Sequence, residues 1–374
     1  MEEGFLFKDV FNPELVARMG QRIKAVSSEF DEKSFYNNIV PKLTPLSLTE
    51  RSSLICENLY SHLPREFNKA ITILLMSFDD PIETTEMTGF EGFYFMPIAK
   101  YVSIYGLGKG DFDISMNALI EITKRFTSED AIRPFIHNYP QQTFEYLYRW
   151  SADENVHLRR LVSEGTRPRL PWSSVLREFI EDPKPVLRLL EELKEDPELY
   201  VRRSVANNLN DIAKDHPQLV VETLKRWKNI NNKGTQWIIS HASRTLLKQG
   251  LPEALDLLGY PTNVQVSVDN LILNKEECKM GDEIEFSFDL VSKASKEQNL
   301  MIDFVVHYMK ANGKTAPKVF KLSKKKLPAE GRFSFKKKLS FKAITTRKYY
   351  VGLHEIEIQV NGKRYNKLIF LLKK

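Results

Sequence analysis

A weak internal repeat constrains the fold of this chain more than any other feature of its sequence. The segment VHLRRLVSE, which begins at Val156, resembles YVRRSVANN from Tyr200, and a third copy without the paired arginines, QWIISHASRTLL, begins at Gln236. The matched steps are 43 and 36 residues. Helical repeats of the HEAT and armadillo type recur at roughly 40–47 residues. The repeat therefore predicts an α-solenoid in which the second helix of each pair lines one continuous face.

Residues 1–260 are predicted to be helical almost throughout. Apolar residues recur at helical spacing in SLTERSSLICENLY and in PREFNKAITILL, with short breaks between such segments. Thr49 is among the candidate N-caps of the first helix, which follows Ser47. Pro64 is expected at the first helical position of the second.

The character of the sequence changes near Tyr260. The segments VQVSVDNLIL, EIEFSFDLV, MIDFVVHYM, RFSFKKKLSF, HEIEIQV and KLIFLL alternate with a period of two and are separated by the turn sequences MGDE, ANGK, AEGR and NGKR. About seven short strands in roughly 110 residues favour an immunoglobulin-like β-sandwich, although the Cys…Trp…Cys pattern of antibody domains is missing. We therefore predict a mainly α chain with two domains, a helical one over 1–260 and a sandwich over 262–374.

Charge is distributed unevenly between these two parts. Residues 261–374 contain 23 Lys and Arg against 12 Asp and Glu, a net charge of +11, whereas residues 1–260 contain 32 against 37, a net charge of −5. Such asymmetry favours a polyanionic partner, and the alternative is a merely soluble, lysine-rich surface. The candidates for phosphate contact in the basic part are two runs of lysines, Lys324, Lys325 and Lys326, and Lys336, Lys337 and Lys338.

Several classes of function are disfavoured. The two cysteines, Cys56 and Cys278, form no pair motif, and the histidines have no metal-ligand spacing. The N-terminus lacks the pattern of a signal peptide, and the most apolar run, 71–78, is too short to cross a membrane. The glycine-rich YGLGKGDF lacks the Gly-Lys-Ser/Thr of a phosphate loop, so a helix–helix turn is favoured there. We expect a cytoplasmic protein with no membrane partner and no metal.

Carboxylates placed among arginines are the remaining candidates for chemistry. Glu164 lies beside Arg160 and Arg167. On a helical wheel, Glu164 and Asp211 lie about 115° and about 125° from the centres of the apolar stripes of their helices, on the same side. A step of 35 residues back from Glu164 reaches Glu129, in TSEDAIRPF. These acids are predicted to lie on one flank of successive repeats.

Each acid also has an ordinary structural interpretation. Arg160 and Glu164 would form an exposed salt bridge on one helix. Glu129 would favour a helix N-terminus, and Asp211 would be a solvated surface acid. Taken together with the arginines and Trp172, however, the acids fit a basic groove with an acidic centre.

The segments TKRFTSEDAIRPFI, RWSADENVHLRRLVSEGTRPRLPW and RRSVANNLNDIAKDHP resemble the AlkC branch of the HEAT-like-repeat alkylpurine DNA glycosylases. The resemblance covers most of residues 1–260. Some members also carry a C-terminal immunoglobulin-like domain, which would account for residues 262–374. The resemblance implies a monofunctional enzyme that excises N3- and N7-alkylated purines, N3-methyladenine above all, from double-stranded DNA without flipping the base. It implies no metal and no organic cofactor.

The resemblance also implies roles for individual residues. It assigns Glu129 in TSE, Glu164 in VSEGTRPR and Asp211 in NLND to an acidic catalytic cluster, and Trp172 in LPW to contact with the lesion nucleotide. The arginines around them are expected to hold phosphates: Arg159, Arg160, Arg167, Arg169, Arg202 and Arg203. We expect a monomer in the bacterial cytoplasm, associated with the nucleoid when bound to DNA. The alternative hypothesis is a non-catalytic helical-repeat scaffold that binds nucleic acid or protein.

Overall fold

The computed structural model describes residues 6–82, 84, 90–344 and 347–374. The chain divides into two compact units, of which the first comprises Met1–His216 and Ile230–Ala242 and the second Pro217–Asn229 and Ser243–Lys374. The change from helix to strand lies inside the second unit, between residues 257 and 266. Three of the helices therefore belong with the strands.

The structure contains sixteen α-helices within its described residues. They are α1 (Pro13–Val26), α2 (Glu32–Ile39), α3 (Leu48–His62), α4 (Phe67–Met76), α5 (Met96–Tyr105), α6 (Phe112–Thr123), α7 (Arg133–Asn138), α8 (Pro140–Ser151), α9 (Val156–Gly165), α10 (Arg177–Glu181), α11 (Lys184–Glu192), α12 (Leu199–Ile212), α13 (Pro217–Lys228), α14 (Lys233–Ala242), α15 (Arg244–Gln249) and α16 (Pro252–Leu257). Helices α13, α15 and α16 lie in the second unit. Short 3₁₀ turns cover Phe7–Val10, Val40–Lys42 and Glu91–Phe95.

Two of the predicted helix starts need correction. The N-cap of α3 is Ser47 and not Thr49, because Ser47 and Glu50 form a reciprocal capping box. Helix α4 begins at Phe67 with Glu66 as its N-cap, so Pro64 lies before the helix and not at its first position. The YGLGKGDF segment does form the turn between α5 and α6, as predicted.

The repeated segments form helices that pack side by side. Helix α9 packs against α12, and α12 packs against α14. Their buried residues include the apolar stripes on which the helical wheels were centred, Leu158, Leu161 and Val162 on α9 and Val201, Val205, Leu209 and Ile212 on α12. Because these residues fix the rotation of each helix, the flanks that carry Glu164 and Asp211 are fixed with them.

A glycine brings the segment before α7 against the end of α9. A Cβ atom on Gly165 would lie 2.6 Å from Cγ2 of Ile132 and 3.6 Å from the carbonyl oxygen of Glu129. Only a residue without a side chain allows this approach. The close packing places the Glu129 segment next to the turn of α9 that carries Glu164.

The second unit contains a sandwich of two sheets. Its strands are β1 (Val266–Leu273), β2 (Glu277–Lys279), β3 (Glu283–Ser292), β4 (Gln298–Met309), β5 (Thr315–Leu327), β6 (Arg332–Ser340), β7 (Gly352–Val360) and β8 (Lys363–Lys373). One sheet has the order β1-β3-β6 and the other β2-β8-β7-β4-β5. Alternate residues such as Phe286, Phe304 and Ile358 form the core between them. The described residues form eight strands, where about seven were predicted. The six alternating segments named from the sequence correspond to β1, β3, β4, β6, β7 and β8, so β2 and β5 were not recognised.

The turns and the cysteines follow the sequence prediction. MGDE, ANGK, AEGR and NGKR each connect two successive strands. Asn361 and Gly362 both have positive φ, as the tight turn between β7 and β8 requires. Cys56 and Cys278 are buried and form no disulfide.

Candidate active site

The two buried acids of the repeat helices share one arginine. Nη1 of Arg167 lies 2.6 Å from Oε1 of Glu164, and Nε of Arg167 lies 2.8 Å from Oδ2 of Asp211. Nζ of Lys214, two residues beyond the end of α12, lies 2.8 Å from Oδ1 of Asp211. Arg167 therefore links the end of α9 to α12 through two carboxylates.

A second arginine adds the third predicted acid. Arg160 on α9 forms an ion pair with Oε2 of Glu129, and its Nη2 lies 3.7 Å from Oε1 of Glu164. The hydroxyl of Thr127 donates a hydrogen bond of 2.7 Å to the same Glu129 oxygen. The order of charges is Glu129, Arg160, Glu164, Arg167, Asp211, and we refer to these five residues as the charge row. The structure thus brings together the three acids that the sequence singled out.

The acids differ in their exposure to solvent. The side chain of Glu129 is 23% exposed, that of Glu164 is 8% exposed and that of Asp211 is 5% exposed. Burial disfavours the charge on Glu164, but Arg160, Arg167 and the Ser204 hydroxyl outweigh it and hold its pKa below the usual range. The interpretations of Asp211 as a solvated acid and of Arg160–Glu164 as an exposed pair are therefore wrong.

The four other arginines have varied surroundings. Nε of Arg159 lies 2.7 Å from Oδ2 of Asp196, and Arg169 forms a bidentate pair with Asp215. Arg202 donates to main-chain carbonyl groups that precede α12. Arg203 is exposed and has no ion pair within the described part of the chain. Five of the six arginines proposed as phosphate ligands thus already have partners within the protein, and their contact with DNA stays a prediction.

Trp172 projects from the surface in an unusual backbone conformation. Its φ is 64°, and it is 86% exposed. Its ring centroid lies 6.0 Å from that of Phe7, which packs edge-on against Phe93. A non-glycine residue in the left-handed region costs free energy, and strained residues of this kind concentrate at functional sites. The position of Trp172 fits a ring that meets a ligand better than one that stabilises a core.

The loop that carries Trp172 is held by a buried arginine. Arg133, at the start of α7, is 1% exposed. Its Nη1 donates 2.9 Å hydrogen bonds to the carbonyl oxygens of Gly165 and Arg167, and its Nε donates one of 2.9 Å to that of Ser174. Arg133 thereby fixes the loop on both sides of Trp172.

Sequence reasoning missed several residues of this site, and three of them are notable. Arg133 clamps the Trp172 loop, Ser204 donates a hydrogen bond of 2.6 Å to Oε2 of Glu164, and Phe7 contacts Trp172. The only available signal was that Arg133 and Ser204 lie within the segments that carry the family resemblance. A single serine or phenylalanine has no motif of its own, so its role becomes visible only in the folded chain.

The two lysine runs lie on edge strands of different sheets. Lys324, Lys325 and Lys326 are on β5, and Lys336, Lys337 and Lys338 are on β6; all six are exposed. Nζ of Lys336 lies 2.8 Å from Glu285, and Nζ of Lys338 lies 3.7 Å from Glu283. In the first run, Nζ of Lys326 lies 3.7 Å from Glu297.

The described residues form neither a metal cluster nor a membrane-spanning helix. Within residues 6–82, 84, 90–344 and 347–374, no three His, Cys, Asp or Glu side chains are grouped so as to hold a metal ion. Among the helices of the same residues, none combines the length and the apolar character that a membrane span requires.

Comparison with known proteins gives matches to both parts of the chain. Residues 126–252 match the family described as DNA alkylation repair enzyme, and residues 267–374 match the family described as uncharacterised protein YhaZ, C-terminal Ig-like domain. The uncharacterized protein YhaZ of Bacillus subtilis is 36% identical over 364 residues, which are 97% of this chain and 98% of that protein.

A solved structure matches nearly the whole chain. It is the alkylpurine DNA glycosylase AlkC of Pseudomonas fluorescens, bound to DNA that contains an abasic site analog. The two chains are 36% identical and superpose with a TM-score of 0.89 over 98% of this chain and 99% of the other.

Proposed function

Since this chain belongs to the AlkC-type alkylpurine DNA glycosylase family and has the C-terminal immunoglobulin-like domain, we propose that it excises cationic N3-alkylated purines from duplex DNA. N3-methyladenine is the favoured substrate, and the reaction is a step of base excision repair. The observation that carries the proposal is the charge row, in which two arginines gather three carboxylates. A scaffold that only binds phosphate has no use for such a concentration of carboxylates.

The chemistry of a cationic lesion explains the need for carboxylates. When the C1′–N9 bond of N3-methyl-2′-deoxyadenosine breaks, the bonding electrons stay on N9, and the base leaves as neutral N3-methyladenine. The deoxyribose is left as an oxocarbenium cation, so the fixed negative charge stabilises what forms in the transition state. A water oxygen then bonds to C1′ and gives its proton to a carboxylate, from which the proton passes to solvent. The indole ring of Trp172 offers its π face to the same cation.

The helical region is proposed to work as a HEAT-like α-solenoid that reads the duplex without base flipping. The packing of α9 on α12 and of α12 on α14 supports this arrangement, because it puts equivalent helices next to one another. The exposed Trp172 also supports it, since a ring on the surface can meet a lesion that stays in the duplex. Enzymes that extrude the base need a closed pocket instead.

The sandwich is proposed to bind the phosphate backbone through the exposed lysines of β5 and β6. The net charge of +11 over residues 261–374 supports this role. Exposed arginines of the helical region, Arg203 first among them, add phosphate contacts. The proposed state is a monomer that acts on the DNA of the bacterial nucleoid in the cytoplasm, without a metal or organic cofactor.

Release of free base tests the proposal directly. Duplex DNA treated with a methylating agent is incubated with the protein, and the supernatant is analysed by chromatography for N3-methyladenine and N7-methylguanine. We expect N3-methyladenine to be released and the strand to stay uncut, as a monofunctional glycosylase requires. DNA binding without release of any base would contradict the proposal and favour the scaffold hypothesis.

A further inference from the structure

The carboxylate oxygens of the three acids differ in how many donors they already have within the protein. Oε1 of Glu164 receives Arg167 at 2.6 Å and Arg160 at 3.7 Å, and Oε2 receives the hydroxyl of Ser204 at 2.6 Å. Both oxygens of Asp211 are also occupied, Oδ2 by Arg167 and Oδ1 by Lys214, each at 2.8 Å. Each of these two acids therefore already has a donor on each oxygen.

Glu129 is different. Its Oε2 receives the guanidinium of Arg160 and the hydroxyl of Thr127. Its Oε1 has neither a hydrogen bond nor an ion pair within the described residues, and the side chain is 23% exposed. Of the six carboxylate oxygens in the charge row, Oε1 of Glu129 is the one that the described protein leaves unoccupied.

The alternation of charge along the row also distinguishes Glu129 from the other two acids. Positive and negative side chains alternate along the row, so both of its ends are carboxylates and its net charge is −1. Lys214 pairs with the Asp211 end. With Lys214, three cations balance the three carboxylates. The Glu129 end has Arg160 as its one cation within the described residues, and it is also the end that carries the accessible oxygen.

We propose that Oε1 of Glu129 is the oxygen that meets the deoxyribose cation of the lesion, and that Arg160 is a positioning residue for Glu129 and not a phosphate ligand. This inference rests on the proposed function and assigns the direct contact to one of its three acids. Arg160 holds Oε2 and so turns Oε1 outward. Glu164 and Asp211 are occupied by Arg167 and act by keeping the row in place.

The electron pair and the proton that move in the reaction each have a destination when Glu129 makes the proposed contact. The leaving base takes the electron pair of the C1′–N9 bond. Oε1 of Glu129 faces the cation that remains and accepts a proton from the water whose oxygen bonds to C1′. No oxidant, metal or second substrate is required, and the carboxyl group returns its proton to solvent.

Single-turnover excision at saturating enzyme separates Glu129 from the other acids. Glu129→Gln should slow excision about 10²–10³-fold, the usual effect of removing one preorganised electrostatic contact. Its melting temperature should fall less than that of Glu164→Gln or Asp211→Asn, because the side chain of Glu129 is 23% exposed and those of the other two acids are 8% and 5% exposed. Glu164→Gln and Asp211→Asn should lower the melting temperature more, since each leaves Arg167, the more buried arginine, with a charge that is less compensated. Asp130→Asn, which changes the exposed acid next to Glu129, is the matched control and should behave as wild type.

A binding experiment tests the inference without relying on excision. Wild-type protein and variants are titrated with duplexes that carry either a neutral tetrahydrofuran abasic analogue or a cationic pyrrolidine analogue. The wild type should prefer the cationic duplex, and Glu129→Gln should reduce this preference about tenfold to hundredfold, as expected when a charged hydrogen bond is removed. If the wild type shows this preference through Glu129 but releases no base, the proposed function fails and the present inference stands.

Arg160 is tested by rescue with lysine and by salt dependence. Arg160→Gln removes the cation that holds Oε2 of Glu129, so the preference for the cationic duplex should fall, and Arg160→Lys should restore it. Loss of a phosphate ligand would weaken binding to both duplexes alike and would make the slope of log K against log salt shallower by about 0.9 in Arg160→Gln. The inference is overturned by that shallower slope with an unchanged cationic preference, or by a wild-type rate and cationic preference in Glu129→Gln.

Discussion

The hydroxyl of Ser204 donates a hydrogen bond of 2.6 Å to Oε2 of Glu164, and this bond joins α12 to α9 inside the charge row. Ser204 in turn accepts a hydrogen bond of 2.7 Å from Ser163, which is also buried. The carboxylate of Glu164 is therefore held from two sides, by arginines at one oxygen and by a serine at the other. A buried charge is tolerated in a protein when its hydrogen bonds are satisfied in this way.

Ser204→Ala should destabilise the helical unit by about 1–3 kcal/mol, because a buried carboxylate oxygen loses its donor. The pKa of Glu164 lies below 4.5, so the stability that its charge contributes is present above that pH and is lost as the pH falls further. The Ser204 hydroxyl is one cause of the low pKa of Glu164. The difference in the free energy of unfolding between Ser204→Ala and the wild type should therefore become smaller below pH 4.5. Urea unfolding at several pH values measures this. Ser61→Ala, at an exposed hydroxyl, is the control, and an equal loss in both variants would contradict the prediction.

Trp172→Ala should slow excision and leave the stability unchanged, because the side chain is 86% exposed. Trp172→Gly should slow excision equally and raise the free energy of unfolding by about 1 kcal/mol through relief of the left-handed conformation, less the extra chain entropy of glycine. Thermal unfolding and single-turnover excision are the measurements. Trp150→Ala supplies the contrast, since loss of a buried Trp costs roughly 3–5 kcal/mol. A similar loss in Trp172→Ala would assign Trp172 to the core.

Features of the fold that come from periodic burial could be predicted from sequence. The apolar spacing on α9 and α12 indicated which residues face inward, and the alternation in β3, β4, β6 and β7 marked them as strands. Strand β5 lacked that signal, because it is an edge strand in which Lys324, Lys325 and Lys326 are all exposed. An edge strand has no neighbour on one side and carries lysines there without cost to the core. The start of α4 depended on the local turn at Pro64, which helical periodicity does not resolve.

The acids of the site could be located from sequence, but their connections could not. The helical wheel placed Glu164 and Asp211 on the same flank, and the family resemblance added Glu129 and Trp172. The bridge through Arg167 depends on a side chain just beyond the end of α9, where helical geometry no longer applies. Arg133 reaches carbonyl groups 32 to 41 residues away along the chain, so only the folded structure shows that it holds the Trp172 loop.

The lysine runs should contribute to DNA affinity through the salt dependence of binding. Replacing Lys324, Lys325 and Lys326 by Gln should make the slope of log K against log salt shallower, by about 0.9 for each phosphate that the protein no longer neutralises, on damaged and undamaged duplexes alike. Replacing Lys336, Lys337 and Lys338 should have a smaller effect, because two of them pair with glutamates of β3. The control replaces three exposed lysines of the helical unit, Lys33, Lys42 and Lys69, and changes net charge equally. An unchanged slope would indicate that the lysines do not contact phosphates and instead prevent aggregation through the edge strands.

The buried Asp303 on β4 should make the stability of the second unit depend on pH. Burial raises its pKa to about 6, although Lys321, Lys324 and Lys248 act in the opposite direction. A carboxyl group whose pKa is raised on folding stabilises the fold most at low pH, and this stability is lost as the pH rises through the folded pKa. Asp303→Asn should therefore match the wild type near pH 4 and exceed it by about 1–3 kcal/mol near pH 8, since each unit of pKa corresponds to about 1.4 kcal/mol. Urea unfolding at both pH values checks this, with Asp269→Asn on the exposed surface of β1 as the control. A variant that is less stable than the wild type at pH 8 would contradict the prediction. It would show that the attraction between the Asp303 charge and the lysines outweighs the cost of burying that charge.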